Sequence, residues 1–184
     1  MPGVQMTFEE ARSKIEAIDG LISIHEAECL FNLASQMPMN GVGLEVGSHK
    51  GKSSISLGLP CIGSERKIYC HDLWGYEPYF EEWKKNVGSL GLSEILIPIK
   101  GWSSVTLKLW NKPLDLVFID SSHEFANTIE EYNALFPWVK RGGVMAFHDV
   151  GHPSFPGVLE VWDKINGGLE QHGSVYSIFW GKKK

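Results

Sequence analysis

From residue 42 onward the chain alternates short apolar runs with stretches of helical spacing, and acids, glycines or histidines gather where each run ends. The runs are VGLEV (42–46), KIYCHD (67–72), ILIPIKG (95–101), LDLVFID (114–120) and GVMAFHDV (143–150). Several are apolar along their whole length, as strands covered on both faces are, and intervening helices make such a sheet parallel. Pro98 lacks an N–H to give a neighbour, which points to an edge position for the third strand. Ahead of the sheet, Thr7 with Glu10 and Ser23 with Glu26 form capping boxes. Each opens a helical apolar stripe: Phe8, Ala11, Ile15 and Ile18 up to Gly20, then Ala27, Leu30, Phe31 and Ala34 up to Pro38.

Further helices are expected over KSSISLGL, the later part of LWGYEPYFEEWKKNVGSLG, SSVTLKLWNK, ANTIEEYNALFPWVK and GVLEVWDKI. Arg141-Gly142-Gly143 should stop the fourth of these. A single closing strand, SVYSIFWG (174–181), makes six strands in all. The length suits a single domain, 1–184, with helices over 1–40 and the sheet-bearing core over 41–184.

The first turn, in GLEVGSHKGKSS (43–54), imitates a phosphate-binding P-loop through Gly51-Lys52-Ser53. A P-loop needs four residues between its first glycine and that triplet, and Gly47 and Gly51 enclose three. The loss changes which backbone amides point inward. LDLVFID resembles the partner strand of a nucleotide hydrolase, ending in an acid suited to Mg²⁺. Glu45, just ahead of the loop, would repel a triphosphate, whereas a ligand with a positive centre would be welcome there. The loop does not read Gly-x-Gly-x-x-Gly either, which argues against a nicotinamide dehydrogenase.

In a sheet of this type ligands bind beyond the carboxyl ends of the strands. Those positions hold Glu45 and Gly47, Asp72, Gly101-Trp102-Ser103, Asp120 with His123, and His148-Asp149. Asp72 stands 25 residues beyond Gly47, near the interval at which an acid after the second strand accepts hydrogen bonds from ribose hydroxyls. His49 and His71 flank cofactor-loop positions and are expected to contribute backbone, and His152 is expected at the surface. Trp74, Tyr76, Tyr79, Phe80 and Trp83 crowd the segment after Asp72, to be divided between core packing and a lid over the substrate.

A net charge of −5 disfavours a nucleic-acid partner, and Lys182-Lys183-Lys184 reads as a solvated tail. No apolar run reaches the roughly 18 to 20 residues that span a bilayer, and MPGVQMTFEEARSK lacks the order of an export signal. Cys29, Cys61 and Cys70 have no metal-type spacing; with the missing signal they imply a reducing, cytoplasmic setting.

Taken together, LEVGSHKGKSS, YCHDLW, DLVFIDSSHEF, KRGGVMAFHDV and FPGVLEVWDKI resemble the class I S-adenosylmethionine-dependent methyltransferases. The likeness is to the small-molecule branch of macrocin O-methyltransferases and cephalosporin hydroxylase-like proteins. It runs from about Gly20 to the last strand. It implies a Rossmann-like three-layer sandwich, mostly parallel, with an antiparallel C-terminal strand and N-terminal helices. It also implies S-adenosylmethionine held by Glu45, Gly47, Ser48, Gly51 and Ser53, by Asp72 and Leu73 at the ribose, by Trp102 and Ser103 beside the adenine, and by Asp120.

The reaction implied is methyl transfer to an oxygen of a small-molecule acceptor, with His123 as general base and Asp120 as a second catalytic residue. An aliphatic hydroxyl is a weak acid, and a divalent cation that binds the oxygen lowers its pKa. In the metal-dependent relatives the acids matching Asp120 and Asp149 bind Mg²⁺. This chain departs by carrying His148 where those relatives have an acid, which leaves two outcomes: a metal set of Asp120, His148 and Asp149, for Mg²⁺ or the softer Mn²⁺, or no bound metal at all. Relatives of this size often associate, which leaves a homo-oligomer open. The competing readings are a non-catalytic or hydroxylase-like relative and, further off, a nucleotide hydrolase.

Overall fold

The computed structural model describes residues 6–184; the expected absence of an export signal falls partly on residues 1–5, outside the described residues. Both capping boxes form. Thr7 caps α1 (Phe8–Glu16) and Ser23 caps α2 (Ile24–Ser35), each side chain accepting from the N–H three residues on while the glutamate there accepts from the cap's own N–H. The apolar stripes behind those caps are buried.

The sheet has seven strands: β1 (Val42–Val46), β2 (Lys67–Asp72), β3 (Leu96–Lys100), β4 (Leu114–Ile119), β5 (Val139–Phe147), β6 (Leu169–Val175) and β7 (Ile178–Lys183). Their order is β3-β2-β1-β4-β5-β7-β6. The first five run parallel, and β7 lies antiparallel between β5 and β6. Pro98 sits on the edge strand β3, as expected. On one face α1, α2, α3 (Lys52–Gly58) and α4 (Glu77–Ser89) pack around Leu30, Ile55, Trp83 and Phe118. On the other, α6 (Phe125–Leu135) and α7 (Pro156–Ile165) cover Leu44, Val117, Met145 and Phe147. The short α5 (Ser103–Thr106) follows β3. Strand order reverses between β1 and β4, which opens a crevice at their carboxyl ends.

Two expectations are corrected. The closing segment is a hairpin rather than one strand, so the sheet has seven strands and not six. Val175 pairs with Ile178 across a turn at Tyr176-Ser177, where Tyr176 takes a left-handed φ of 50°. No glycine or asparagine marks that turn, and an apolar aromatic stretch reads through it as one strand. Arg141-Gly142-Gly143 does not end a helix either. α6 stops at Leu135, a single 3-10 turn spans Phe136–Trp138, and the three residues lie inside β5. They bulge where β5 shifts register against β4, with Gly142 at φ 76°.

Candidate active site

The chain leaves β1 at Gly47, whose N–H donates to the carbonyl of His71 at 2.8 Å. Gly47 has φ 96°, and a Cβ there would stand 1.8 Å from the carbonyl oxygen of Asp120. Gly51 has φ 98°, and its missing Cβ would touch the Trp83 ring at 3.0 Å. Both glycines thus make room first for the protein's own atoms, where the ends of β1 and β4 cross and where α4 backs the loop.

Glu45 lies beneath the turn with no exposure. Burial pushes its carboxyl up to about 7, against the opposing hydroxyls of Ser53, Ser54 and Ser48. Ser48 donates to Oε2 at 2.7 Å, and Ser54 donates to the same oxygen. Trp83 Nε1 donates to Ser54 Oγ at 3.1 Å, and Trp74 Nε1 to the carbonyl of His49 at 2.7 Å. Both indoles are buried, and Phe80 stacks on Trp83. None of Trp74, Tyr76, Tyr79, Phe80 and Trp83 lines the cavity. The aromatic segment, through Trp74 and Trp83, buttresses the loop from behind.

Asp72 ends β2 with both oxygens oriented: Oδ2 accepts from His49 N–H at 2.8 Å and Oδ1 from Trp74 N–H at 2.7 Å. The lone pairs left over face a cavity of about 590 Å³, within the roughly 300–1,000 Å³ of small-molecule sites. Of the residues expected from sequence, Gly47, Ser48, Ser53, Asp72, Leu73, Trp102, Ser103, Asp120 and His123 line it. Glu45 and Gly51 stand behind the wall and shape it. Sequence reasoning missed Leu21 and Ile22 of the α1–α2 turn, and Asn127 and Glu131 on α6. None of these belongs to a recognisable motif. His49 contributes backbone as expected, whereas His71 also uses its ring, with Nε2 2.6 Å from Thr106 Oγ1. His152 is exposed and stacks on Phe155.

At one end of this cavity the ends of β4 and β5 bring four titratable side chains together, of which Asp120 and His123 line it and the buried His148 and Asp149 stand behind them. His123 Nε2 lies 3.2 Å from Asp120 Oδ1 and 3.0 Å from Asp149 Oδ2. His148 Nδ1 lies 3.2 Å from Asp120 Oδ1 and 3.3 Å from Asp149 Oδ2, and its Nε2 is 3.2 Å from Glu26 Oε1. Hydrogen bonds to Asp120 and Asp149 carry His123 up to about 9 against burial. Burial also opposes charge on His148, but Asp120, Asp149 and Glu26 carry it up to about 12. Burial would raise both aspartates, and the two imidazoles more than offset that, so both are lowered. The resting cluster is therefore two imidazolium rings set among carboxylates. His123 and Asp149 have φ of 60° and 58°, a left-handed conformation that costs about 1–3 kcal/mol at a non-glycine residue and collects at functional sites.

Asp120, His123 and Asp149 each bring one ligand atom within 4.8 Å of the others. Asp120 and Asp149 of the metal set read from sequence thus converge with His123, and His148 Nδ1 also lies 3.2 Å from Asp120 Oδ1 and 3.3 Å from Asp149 Oδ2 while its Nε2 faces Glu26.

A parallel sheet closed by an antiparallel β7, a glycine turn at the switch point and an acid ending β2 together define the class I methyltransferase architecture. Residues 44–150 match the family described as Methyltransferase domain. The chain belongs to that family and is an S-adenosylmethionine-dependent methyltransferase. Solved structures share its fold. An O-methyltransferase from Bacillus cereus in complex with S-adenosylhomocysteine superposes with a TM-score of 0.72 at 15% identity, covering 96% of this chain and 89% of that one. An S-adenosylhomocysteine-bound methyltransferase of Podospora anserina gives 0.74 at 13%, covering 96% and 87%. An O-methyltransferase of Streptomyces achromogenes, involved in tomaymycin synthesis and solved with S-adenosylmethionine, gives 0.71 at 15%, covering 96% and 89%.

Proposed function

We propose that this methyltransferase transfers a methyl group to a hydroxyl oxygen of a small molecule, with His123 as general base. The observation that carries the reading is the His123 ring, held through Nε2 by Asp120 and Asp149 at the edge of the cavity. No described residue engages its Nδ1, and that atom is not among the buried unpaired ones. Nδ1 is therefore the nitrogen left to take the acceptor's proton, while the two carboxylates steady the ring and its charge. S-adenosylmethionine supplies the electrophilic methyl when bound. Gly47, Ser48, Ser53, Asp72, Leu73, Trp102, Ser103 and Asp120 form the walls that would hold it, and the donor set fits. Asp72 keeps acceptor capacity for two ribose hydroxyls, and the exposed Trp102 offers a face to a planar base. The O-methyltransferase fold relatives support an oxygen acceptor.

Asp72→Ala is expected to weaken S-adenosylhomocysteine binding by about 10–100-fold, the worth of hydrogen bonds to a charged group. Titration calorimetry reads this, and an unchanged Kd removes the ribose assignment. The same measurement with ATP separates the nucleotide-hydrolase reading: micromolar ATP binding without S-adenosylhomocysteine binding would overturn the function proposed.

A second reading, metal assistance, is favoured by the convergence of Asp120, His123 and Asp149. A divalent cation such as Mg²⁺ or Mn²⁺ held there would lower the pKa of the acceptor hydroxyl. It would take His123 as ligand and so remove it as base, and His148 already neutralises part of the acid pair. We therefore favour the base. Turnover is expected to survive exhaustive chelation within about twofold; a loss restored by Mn²⁺ would replace His123 as base by His123 as ligand.

No described helix is long and apolar enough to cross a membrane, and the three cysteines are buried and free. Both features suit a reducing, cytoplasmic setting and a diffusible acceptor. A homo-oligomer is part of the same proposal and is read by light scattering.

A further inference from the structure

The chain carries two capping boxes, and one serves as an internal control for the other. In α1, Glu10 accepts from Thr7 N and Oγ1 at 2.8 Å each, is exposed, and its carboxylate has no hydrogen bond to another element among the described residues. In α2, Glu26 repeats that geometry with Oε2, accepting from Ser23 N and Oγ at 2.8 Å each. Yet Glu26 is only 5% exposed. Its second oxygen, Oε1, accepts from Ser177 Oγ at 2.8 Å and Ser177 N at 3.3 Å, and lies 3.2 Å from His148 Nε2. A cap does not require burial, and a buried carboxylate is costly unless its partners compensate. The contacts of Oε1 are what α2 has beyond α1. Glu26 and Ser177 both lie outside residues 44–150, the part that matches the family.

We propose that Glu26 is a positioning residue for the reacting centre: through His148 it fixes Asp120, and through Asp120 the base His123. The chain of contacts is continuous, from Glu26 Oε1 to His148 Nε2, from His148 Nδ1 to Asp120 Oδ1, and from Asp120 Oδ1 to His123 Nε2. Glu26 does not line the cavity, so it makes no cofactor contact of its own and acts through the geometry of the acids, Asp120 being the one wall residue it reaches. Ser177, at the β6–β7 turn, closes the arrangement from the other side, with its carbonyl accepting from Val150 N–H at 3.0 Å next to Asp149. The amino-terminal helices and the carboxyl-terminal hairpin thus complete a site whose reacting groups lie in the family core. The inference rests on the strand-end cluster being the reacting centre.

The test is nitrogen-15 NMR of histidine-labelled full-length protein, with His148 and His123 assigned from their own Gln variants. Glu26→Gln keeps the shape and removes the charged acceptor, and Ser23→Ala weakens the cap while leaving Oε1 in place. In Glu26→Gln the ring signals of both His148 and His123 are expected to shift, with S-adenosylhomocysteine Kd within about threefold of wild type. Ser23→Ala should lower the Tm without moving either ring. Unmoved rings in Glu26→Gln overturn the proposal, and so does a Ser23→Ala spectrum that moves as far. A shift confined to His148 overturns transmission to the base. If Glu26→Gln does not fold, Glu26→Asp, too short to span Ser23 and His148 together, is read by the same criteria. Failure of wild type to bind S-adenosylhomocysteine would strike the function proposed above and leave the ring comparison readable.

Discussion

Gly47→Val is expected to abolish measurable S-adenosylhomocysteine binding in titration calorimetry, while Lys52→Ala binds within about fivefold of wild type. The two residues belong to the same GLEVGSHKGKSS segment, and a phosphate-binding reading would rank them the other way. Any side chain at Gly47 meets the carbonyl of Asp120 at 1.8 Å, and backbone cannot step aside as a side-chain tip can. A branched residue is also strained at φ 96°. Separating the ends of β1 and β4 would displace both the cofactor turn and Asp120, so binding and chemistry fall together. Lys52 begins α3 with its stem against Gly20, and among the described residues its ammonium forms no ion pair. Its loss removes one solvated charge at the cavity wall. Gly51→Ala should fall between the two, since the Trp83 ring at 3.0 Å can shift slightly. A thermal melt separates lost binding from lost folding, and a Lys52→Ala protein that no longer binds would restore the phosphate-type loop.

The order of elements and most of the site were legible because backbone chemistry wrote them into local patterns. The apolar runs from VGLEV to GVMAFHDV, the capping boxes at Thr7 and Ser23 and the proline on β3 each follow from what one short segment can satisfy alone. The strand-end rule then gathered Asp72, Asp120, His123 and Asp149. What failed to show depended on partners distant in the chain. The β6–β7 turn is made by Tyr176 in a conformation that its residue type does not announce, and the Gly142 bulge depends on its register against β4. Glu26 read as a cap because capping is local, and its bond to His148 spans 122 positions. Glycine spacing identified the cofactor turn, but only the fold shows that Gly47 yields to Asp120 and Gly51 to Trp83. The aromatic segment after Asp72 could be divided between core packing and a lid by its sequence, but its packing role shows only through the acceptors that Trp74 and Trp83 find at His49 and Ser54.

His123→Ala is expected to lower kcat by about 10²–10⁴-fold, the usual worth of a positioned general base, with S-adenosylhomocysteine Kd within about threefold. The measurement is release of S-adenosylhomocysteine with an acceptor found by screening hydroxylated small molecules. Direction with pH follows from the carboxylates around the ring. Asp120 and Asp149 hold the His123 pKa up to about 9, so near pH 7 about one ring in a hundred is free to take a proton. The kcat should therefore climb about tenfold per pH unit from neutrality and level off above about 9. Stability runs the opposite way. A histidine raised above its ordinary value of about 6.5 stabilises the fold fully below that pH, and the contribution is lost as pH rises through about 9. Wild type should thus gain turnover and lose Tm over the same interval, whereas His123→Ala shows a shallower version of both slopes. A variant that retains wild-type kcat, or a wild-type rate flat between pH 7 and 9, would remove His123 as the base. The acceptor proton would then have to leave by Asp120 or Asp149, which the two imidazolium rings hold as weak bases.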